Sequence, residues 1–368
     1  MNPSHVQLLA IELSIRPNQV EAVANLLAEG GTVPFIARYR KEATDSLDEV
    51  VIMTIRDRLA QLTELDKRRQ AILKSLEENN HLDEALQTKV ESAKTLTELE
   101  DIYLPYRPKR RTRATVAREK GLEPLAQQLF DQQDFDPNLA ARDFINTENE
   151  VHTVEEALAG ARDIMAEWVS ENQQALENMR HLFKTRGMFR SKLIPGMEDS
   201  GAKYRDYFDW QEAISHAPSH RILAMRRAEK EGILTFRILP PDEECIASLS
   251  SLFIKTQSSA ADHVKSAIED GYKRLLSTSI ETEIRLSSKK RADEDAIRIF
   301  TENLRQLLMA APLGQKNVMA IDPGFRTGCK LVCLDGQGKL GFTDTIYPGQ
   351  GAARDAEARQ KLVQYAGQ

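Results

Sequence analysis

Apolar residues recur at three- and four-residue spacing through most of the chain up to about residue 311, and this is the spacing of one face of an α-helix. The pattern is longest between Asp48 and Asn79, where one amphipathic helix is predicted. Further helical runs are predicted over 5–29, from Thr95, from Thr153 to Phe183, from Ser219 to Gly232, over 259–285 and over 292–311. The predicted fold class is therefore mainly α, with a multi-helix N-terminal body.

Strand character takes over only near the end of the chain. The segments "NVMAID", "GCKLVCLD" and "KLGFTDTIY" read as three strands, and "ARDAEARQKLVQYAG" reads as a helix after them. Turn residues mixed with β-formers predict a short irregular or hairpin-like insert over 187–210. We therefore predict a helical region over 1–186 with a helix-turn-helix-like segment, an insert and further helices over 187–314, and the start of an α/β domain over 315–368.

Composition excludes several classes of protein. The net charge is −6, so any binding of nucleic acid must come from local basic patches. The three cysteines form no CxxC pair, which argues against a zinc module or a disulfide scaffold, and no cofactor is expected. The N-terminus does not resemble a signal peptide, and no apolar run approaches the ~20 residues of a membrane span. We expect a soluble, cytoplasmic protein without a membrane partner.

The densest basic segment is "PYRPKRRTRATVAREK". Its candidate phosphate-binding side chains are Arg107, Lys109, Arg110, Arg111 and Arg113. Two prolines place their start on an extended loop, and Tyr103 and Tyr106 precede it as possible stacking partners for bases. The alternative is a solvated loop that docks on acidic helices of the same chain.

A second basic patch lies in "PFIARYRKE", with Arg38, Arg40 and Lys41 beside two aromatic residues. The helix, short turn and second helix around it resemble helix-turn-helix geometry, although a purely structural corner has the same spacing.

A third group comprises His220 and Arg221 at the start of a predicted helix that Ser219 would cap. A helix N-terminus with basic neighbours suits a phosphate. The alternative role for His220 is capping or packing.

Asp322 stands at the end of the first predicted strand, in "AIDPGFRTG". An acid at a strand tip can bind Mg²⁺ when further carboxylates converge on it. The glycine turn also occurs in actin-like and Hsp70-like ATPases, but a threonine or serine usually follows the glycine there, whereas Phe325 stands here. The pattern fits a nuclease-like domain better.

Several longer segments together resemble the bacterial Tex family of transcription accessory proteins. They are "TVPFIARYRKEATDSLDE", "ELEDIYLPYRPKRRTRATVAREKGLEPLA", "GAKYRDYFDW", "PSHRILAMRRAEKEG", "DEDAIRIFTENLRQLLMAAPLG" and "AIDPGFRTGCKL". The resemblance implies a helical region with a helix-turn-helix-like domain, then a YqgF-like domain of the ribonuclease H-like fold, helix-hairpin-helix modules and an RNA-binding OB-fold. It also implies nucleic-acid binding and a role in transcription, without an established reaction.

Two features depart from this family pattern. Asp45 and Ser46 stand where the family is expected to have a glycine pair. Only about fifty residues follow Val318, fewer than the ~100 of an ordinary domain, so the YqgF-like domain is expected to be incomplete. Asp322 matches the first catalytic acid of active resolvases, but its partner acids would lie in the missing part. The three strands are expected to lack covering helices.

The leading hypothesis is a non-enzymatic transcription accessory protein that binds RNA or DNA. One alternative is a Mg²⁺-dependent, resolvase-like nuclease in which Asp322 is the first metal-binding acid. Another is a helical scaffold that docks on polymerase or ribosome through its basic patches.

Overall fold

The computed structural model describes residues 3–108, 111–324 and 327–367. Within these ranges the chain forms seventeen α-helices and two three-stranded antiparallel sheets. It divides into two compact units, Met1–Asp293 and Glu294–Gln368. The predicted mainly α fold is confirmed.

The helices are α1 (Pro3–Leu13), α2 (Pro17–Ala28), α3 (Val33–Tyr39), α4 (Lys41–Thr44), α5 (Glu49–Glu78), α6 (Glu84–Ser92), α7 (Leu96–Tyr103), α8 (Arg113–Glu119), α9 (Glu123–Asp131), α10 (Pro137–Arg142), α11 (Val154–Glu171), α12 (Gln173–Arg186), α13 (Ser219–Lys230), α14 (Asp242–Phe253), α15 (Ser259–Gly271), α16 (Ser277–Leu308) and α17 (Ala352–Ala366). The strands are β1 (Met188–Leu193), β2 (Asp209–Ala213), β3 (Leu234–Leu239), β4 (Val318–Asp322), β5 (Cys329–Leu334) and β6 (Leu340–Ile346).

The long helix α5 begins and ends where the periodicity predicts. The Asp48 carboxylate accepts a hydrogen bond from the Val51 amide at 2.8 Å, which caps the first turn. The first half of α5 packs with α1, α2 and α3 around a small apolar core that includes Leu9, Val20 and Ile52. Its second half packs with α6 and α7 around a separate core.

Two predicted helices are each split in the structure. The run over 5–29 breaks because Ser14 is left-handed (φ 55°) and Pro17 starts a new helix. The run from Thr153 to Phe183 breaks at Asn172, whose extended backbone ends α11 and whose side chain accepts from the Ala175 amide to cap α12. Hydrophobic periodicity continues across both breaks, so it did not reveal them.

The predicted insert over 187–210 is part of a larger element. Strands β1 and β2 form a hairpin-like pair there, and β3 from beyond residue 230 adds to the other side of β1, giving the order β2-β1-β3. Neither β3 nor α14 was predicted from the sequence. Phe189 and Phe236 stack at 5.4 Å on the buried face of the sheet and join it to the main core.

Two side chains of α16 satisfy the open edge of β3. The Glu281 carboxylate accepts hydrogen bonds from the Ile238 amide at 2.9 Å and from Arg237 Nε at 2.8 Å. Arg285 donates to the Phe236 carbonyl oxygen. Backbone groups that an edge strand would otherwise expose are therefore bonded within the chain.

A charged network joins three helices that are distant in sequence. Arg180 on α12 donates to both carboxylate oxygens of Asp101 on α7, 79 positions away, and to Glu283 on α16, 103 positions away. Its side chain is only 16% exposed. Burial alone would lower the pKa of Arg180, but the hydrogen bonds to the two acids outweigh it and raise the pKa.

The helices near residues 259–311 were predicted as two runs with a gap between them. In the structure α16 is continuous across that gap, and a π-helical turn over Tyr272–Leu276 joins it to α15. The predicted boundaries at 285 and 292 are therefore wrong, because the polar residues between them still favour helix.

The second unit contains the predicted strands in the order β4-β5-β6, followed by α17. Leu331, Ile346 and Ala358 are buried together, with the rings of Phe342 and Tyr365 4.2 Å apart beside them. Helix α17 thus packs on the sheet, so the expectation that no helix covers these strands is wrong.

Helices α11 and α15 meet so closely that a glycine is required. A Cβ atom built on Gly271 would lie 2.9 Å from the Ala166 carbonyl oxygen, which is backbone and cannot turn away. Gly271→Ala should therefore lower the free energy of unfolding by about 1–3 kcal/mol, measured by urea denaturation. In a helix without this contact the same change stabilises by about 1 kcal/mol, so a stabilised variant would contradict the close contact.

Candidate nucleic-acid interface

The basic loop that begins at Arg107 is anchored at both ends. Before it, Tyr103 is buried and its hydroxyl is hydrogen-bonded to Ser75 Oγ at 2.8 Å. After it, the Thr112 hydroxyl accepts from the Thr115 amide at 3.0 Å and caps α8. The Thr112 hydroxyl also lies 3.2 Å from a carboxylate oxygen of Glu167 on α11. The chain therefore leaves one fixed point and returns to another.

The exposed cations of the loop differ in their partners. Arg111 pairs with Glu119 at 2.9 Å. Within the described ranges, the side chain of Arg107 makes no hydrogen bond or ion pair, and neither does the side chain of Arg113. Lys109 and Arg110 lie outside the described residues. Burial raises the pKa of Asp163. The positive charge of Arg274, and after it that of Arg113, opposes this rise, so the charge of Arg113 acts on Asp163.

The later basic residues of the same segment are bound internally. Arg118 donates to the buried carboxylate of Glu167 at 2.7 Å and to Glu123 at 3.2 Å. Lys120 donates to the Glu150 carbonyl oxygen at 2.9 Å. Docking on acidic groups of the same chain thus describes Arg118 and Lys120, and partly Arg111, but not Arg107 or Arg113.

The second patch lies at the corner between α3 and α5. Arg38 is 66% exposed and pairs with Glu49 at 3.1 Å. The Arg40 guanidinium lies 5.0 Å from the centre of the Phe35 ring, and Lys41 is exposed at the start of α4. These side chains lie beside the small core that includes Leu9, Val20 and Ile52. Helix α8 instead packs into the main core.

The departure from the expected glycine pair falls on an unusual backbone conformation. Asp45 and Ser46 both have positive φ, 52° and 61°. Glycine adopts this region most easily and aspartate tolerates it. Arg16 forms an ion pair with Asp45, and Gln19 donates to the Thr44 carbonyl oxygen at 3.1 Å, which holds the turn. The turn keeps a glycine-like shape without glycine.

In the third predicted group, His220 and Arg221, only one side chain is available to bind a phosphate. The prediction that Ser219 caps α13 is wrong, because Pro218 occupies the cap position and Ser219 is already helical. His220 is exposed. Arg221 donates to Glu212 at 2.7 Å and lies 5.1 Å from the centre of the Trp210 ring, so its charge is already paired.

Asp322 is exposed at the end of β4, opposite Lys330 in the sheet. No group of three or more His, Cys, Asp or Glu side chains within the described ranges could hold a metal ion.

Burial raises the pKa of the Cys245 thiol to about 11, so this cysteine stays protonated at neutral pH.

The sequence did not predict a cleft beside the basic loop, although Trp168, which borders it, lies within the helical run predicted from Thr153 to Phe183. The cleft has a volume of about 350 Å³ and is bordered by Tyr106, Trp168 and Asn172. The apolar stripe of α11 includes Trp168, and a stripe does not distinguish a ring inside the core from one at its border. Two further exposed cations, Arg190 and Lys192 on β1, were also not singled out.

In the part of the chain that the structure describes, every helix is too short or too polar to cross a lipid bilayer.

Three family models match this chain, and all belong to one family. They are the Tex-like protein N-terminal domain over residues 3–77, the Tex central region-like model over 132–300 and the Tex protein YqgF-like domain over 316–368. The chain therefore belongs to the Tex family. The boundaries predicted at 186 and 314 stay a prediction.

Individual relatives agree with this assignment. Protein YhgF of Escherichia coli (strain K12) is 41% identical over 366 residues, which cover 97% of this chain and 47% of the relative. Protein tex of Bordetella pertussis is 42% identical over 370 residues, covering 96% and 46%. The human S1 RNA-binding domain-containing protein 1 is 26% identical over 380 residues, covering 99% and 38%. The chain spans about half the length of the bacterial relatives.

The anchor at the end of the basic loop can be tested with two acids that bind the same arginine. The buried Glu167 carboxylate binds both Arg118 and Thr112, the residue that caps α8. Glu167→Gln removes its charge, so the free energy of unfolding should fall by about 1–3 kcal/mol. Glu123→Gln is the matched control: this carboxylate is 52% exposed, so its loss should cost less than about 1 kcal/mol. Equal losses in urea denaturation would contradict a special role for Glu167.

Proposed function

We propose that this chain is a nucleic-acid-binding part of a transcription accessory protein, located in the cytoplasm, and that it acts by binding rather than by catalysis. The observation that carries the proposal is the exposure of the Arg107 and Arg113 side chains. Both guanidinium groups are exposed on a loop fixed at its two ends, and neither has an ion pair within the described residues.

Exposed guanidinium groups on an anchored loop suit phosphate binding. Each phosphate contact releases condensed counterions, so affinity depends steeply on salt. Arg107 and Arg113 lie close to the two anchored ends, and residues held in this way lose less conformational freedom on binding than residues of a mobile segment. Because the net charge is −6, attraction to nucleic acid must be local, and the approaching phosphates must avoid acidic surface.

The names of related proteins also support the proposal. One relative from Neisseria gonorrhoeae carries the name transcriptional accessory protein Tex, and the human relative is named for an S1 RNA-binding domain. We carry both descriptions to this chain as part of the proposal. Arg38, Arg40, Lys41 and His220 are secondary candidates for phosphate contacts.

The proposal predicts a defined change in salt dependence. We expect this chain to bind labelled single-stranded RNA in fluorescence anisotropy, with an affinity that falls linearly in log salt. Arg107→Ala with Arg113→Ala removes two phosphate contacts, so the slope should become shallower by about 1.4. Single-stranded DNA and duplex DNA, titrated in parallel, identify the preferred form of nucleic acid.

The control variant removes an equal charge from two cations that are already paired with acids. Arg56→Ala with Lys74→Ala deletes two exposed cations of α5 that pair with neighbouring acids on the same helix. It should leave the slope unchanged. Absence of RNA binding by the unaltered chain at low salt would overturn the proposal and favour a scaffold that docks on polymerase or ribosome.

The non-catalytic part of the proposal is tested separately. Two-metal phosphoryl chemistry needs several converging carboxylates, and Asp322 is exposed at a strand end. We expect no cleavage of single-stranded RNA or branched DNA by this chain in the presence of Mg²⁺ or Mn²⁺. Metal-dependent cleavage that Asp322→Asn abolishes would instead support the resolvase-like alternative.

A further inference from the structure

The cleft of about 350 Å³ beside the basic loop is formed by three parts of the chain. Leu86 comes from α6, Ile102 and Tyr106 come from α7 and the turn after it, and Trp168 and Asn172 come from the junction of α11 and α12. Ligand pockets range over about 300–1,000 Å³, so this cleft suits a small planar group better than an extended ligand.

Two aromatic rings border the cleft, and both have packed neighbours. Trp168 meets Phe130 edge-on at 5.5 Å, and Phe130 in turn lies 5.8 Å from Phe253 in the main core. Tyr106 is 36% exposed and lies 5.7 Å from the His81 ring. Rings held in place in this way offer flat surfaces for stacking.

The polar groups of the cleft include donors and acceptors that suit the edge of a base, together with two carboxylates. Asp101 is paired with Arg180, and Glu171 is half-buried. The Asn172 side-chain oxygen accepts from the Ala175 amide at 3.1 Å, which orients its NH₂ group as a remaining donor. Gln173 is exposed at the same place and can both donate and accept. Lys89 adds an exposed cation.

Arg107 directly follows Tyr106 in the chain, so its backbone continues from the rim of the cleft, and its exposed side chain has no ion pair within the described residues. We infer that the cleft receives one unstacked base of a single-stranded nucleic acid while Arg107 binds the adjoining phosphate. Bases of single strands are commonly recognised by stacking on aromatic side chains next to basic groups. The inference rests on the proposed function and assigns it a base-binding site.

The two tryptophans of the chain allow a direct test. Trp210→Phe leaves Trp168 as the single indole, and Trp168→Phe leaves Trp210. Titration with a short single-stranded RNA should quench Trp168 emission with the same Kd that anisotropy gives, and should leave Trp210 emission unchanged. Equal changes in both variants would show that the quenching is not local to the cleft and would overturn the inference.

Substitutions of Tyr106 provide a second test of the inference. Tyr106→Ala should weaken RNA binding roughly tenfold, because one base–aromatic contact is lost. Tyr106→Phe keeps the ring and should bind RNA as the unaltered chain does, which shows that the ring and not the hydroxyl is needed. An RNA of the same length without bases should bind Tyr106→Ala and the unaltered chain equally well.

The outcomes separate this inference from the proposed function. RNA binding in anisotropy with unchanged Trp168 emission and no effect of Tyr106→Ala would overturn the base site alone. No binding in anisotropy would overturn both. A free nucleoside monophosphate that quenches Trp168 as tightly as RNA would assign the cleft to a mononucleotide and overturn the single-strand form of the inference.

Discussion

The candidate interface depends first on one arginine, whose side chain is largely shielded from solvent. Arg180 binds Asp101 and Glu283 together, and so sets where α7 lies against α12 and α16. The turn that carries Tyr106 follows α7 directly, and Arg107 comes next. A buried charge of this kind costs desolvation unless each of its partners is in place, so the network permits few arrangements of the three helices. The position of Arg107 is thereby set by contacts in the interior.

One basic segment of the sequence contains both internally paired and exposed cations, and the fold separates the two kinds. Arg118 lies on the side of α8 that faces α11, where the buried Glu167 takes its charge. Arg107 precedes the helix and Arg113 begins it, and both point to solvent. Counting charges in the sequence treats all of these side chains alike. The difference between a paired and an exposed cation arises from which acids the tertiary fold brings near.

Local signals predicted a large part of the fold and little of the candidate site. Asp48 marks the start of α5 in the sequence, and the strands β4 to β6 follow from their β-forming residues. Strand β3 was missed because its pairing with β1 joins residues 43 positions apart, which no local window contains. The cleft needs the junction at Asn172 to meet the turn after α7. Such a meeting depends on long-range packing, which overrides local preference.

The bonding of the β3 edge by Glu281 and Arg285 has a consequence for how the protein can be divided. Both residues lie in the first turns of α16, well after the sheet that they cover. A shorter piece of the chain ending before α16 would keep all three strands but bare one side of them. Open strand edges recruit other strands, so such a piece would self-associate through β3. The helix therefore also closes the β3 edge of this sheet against further strand pairing.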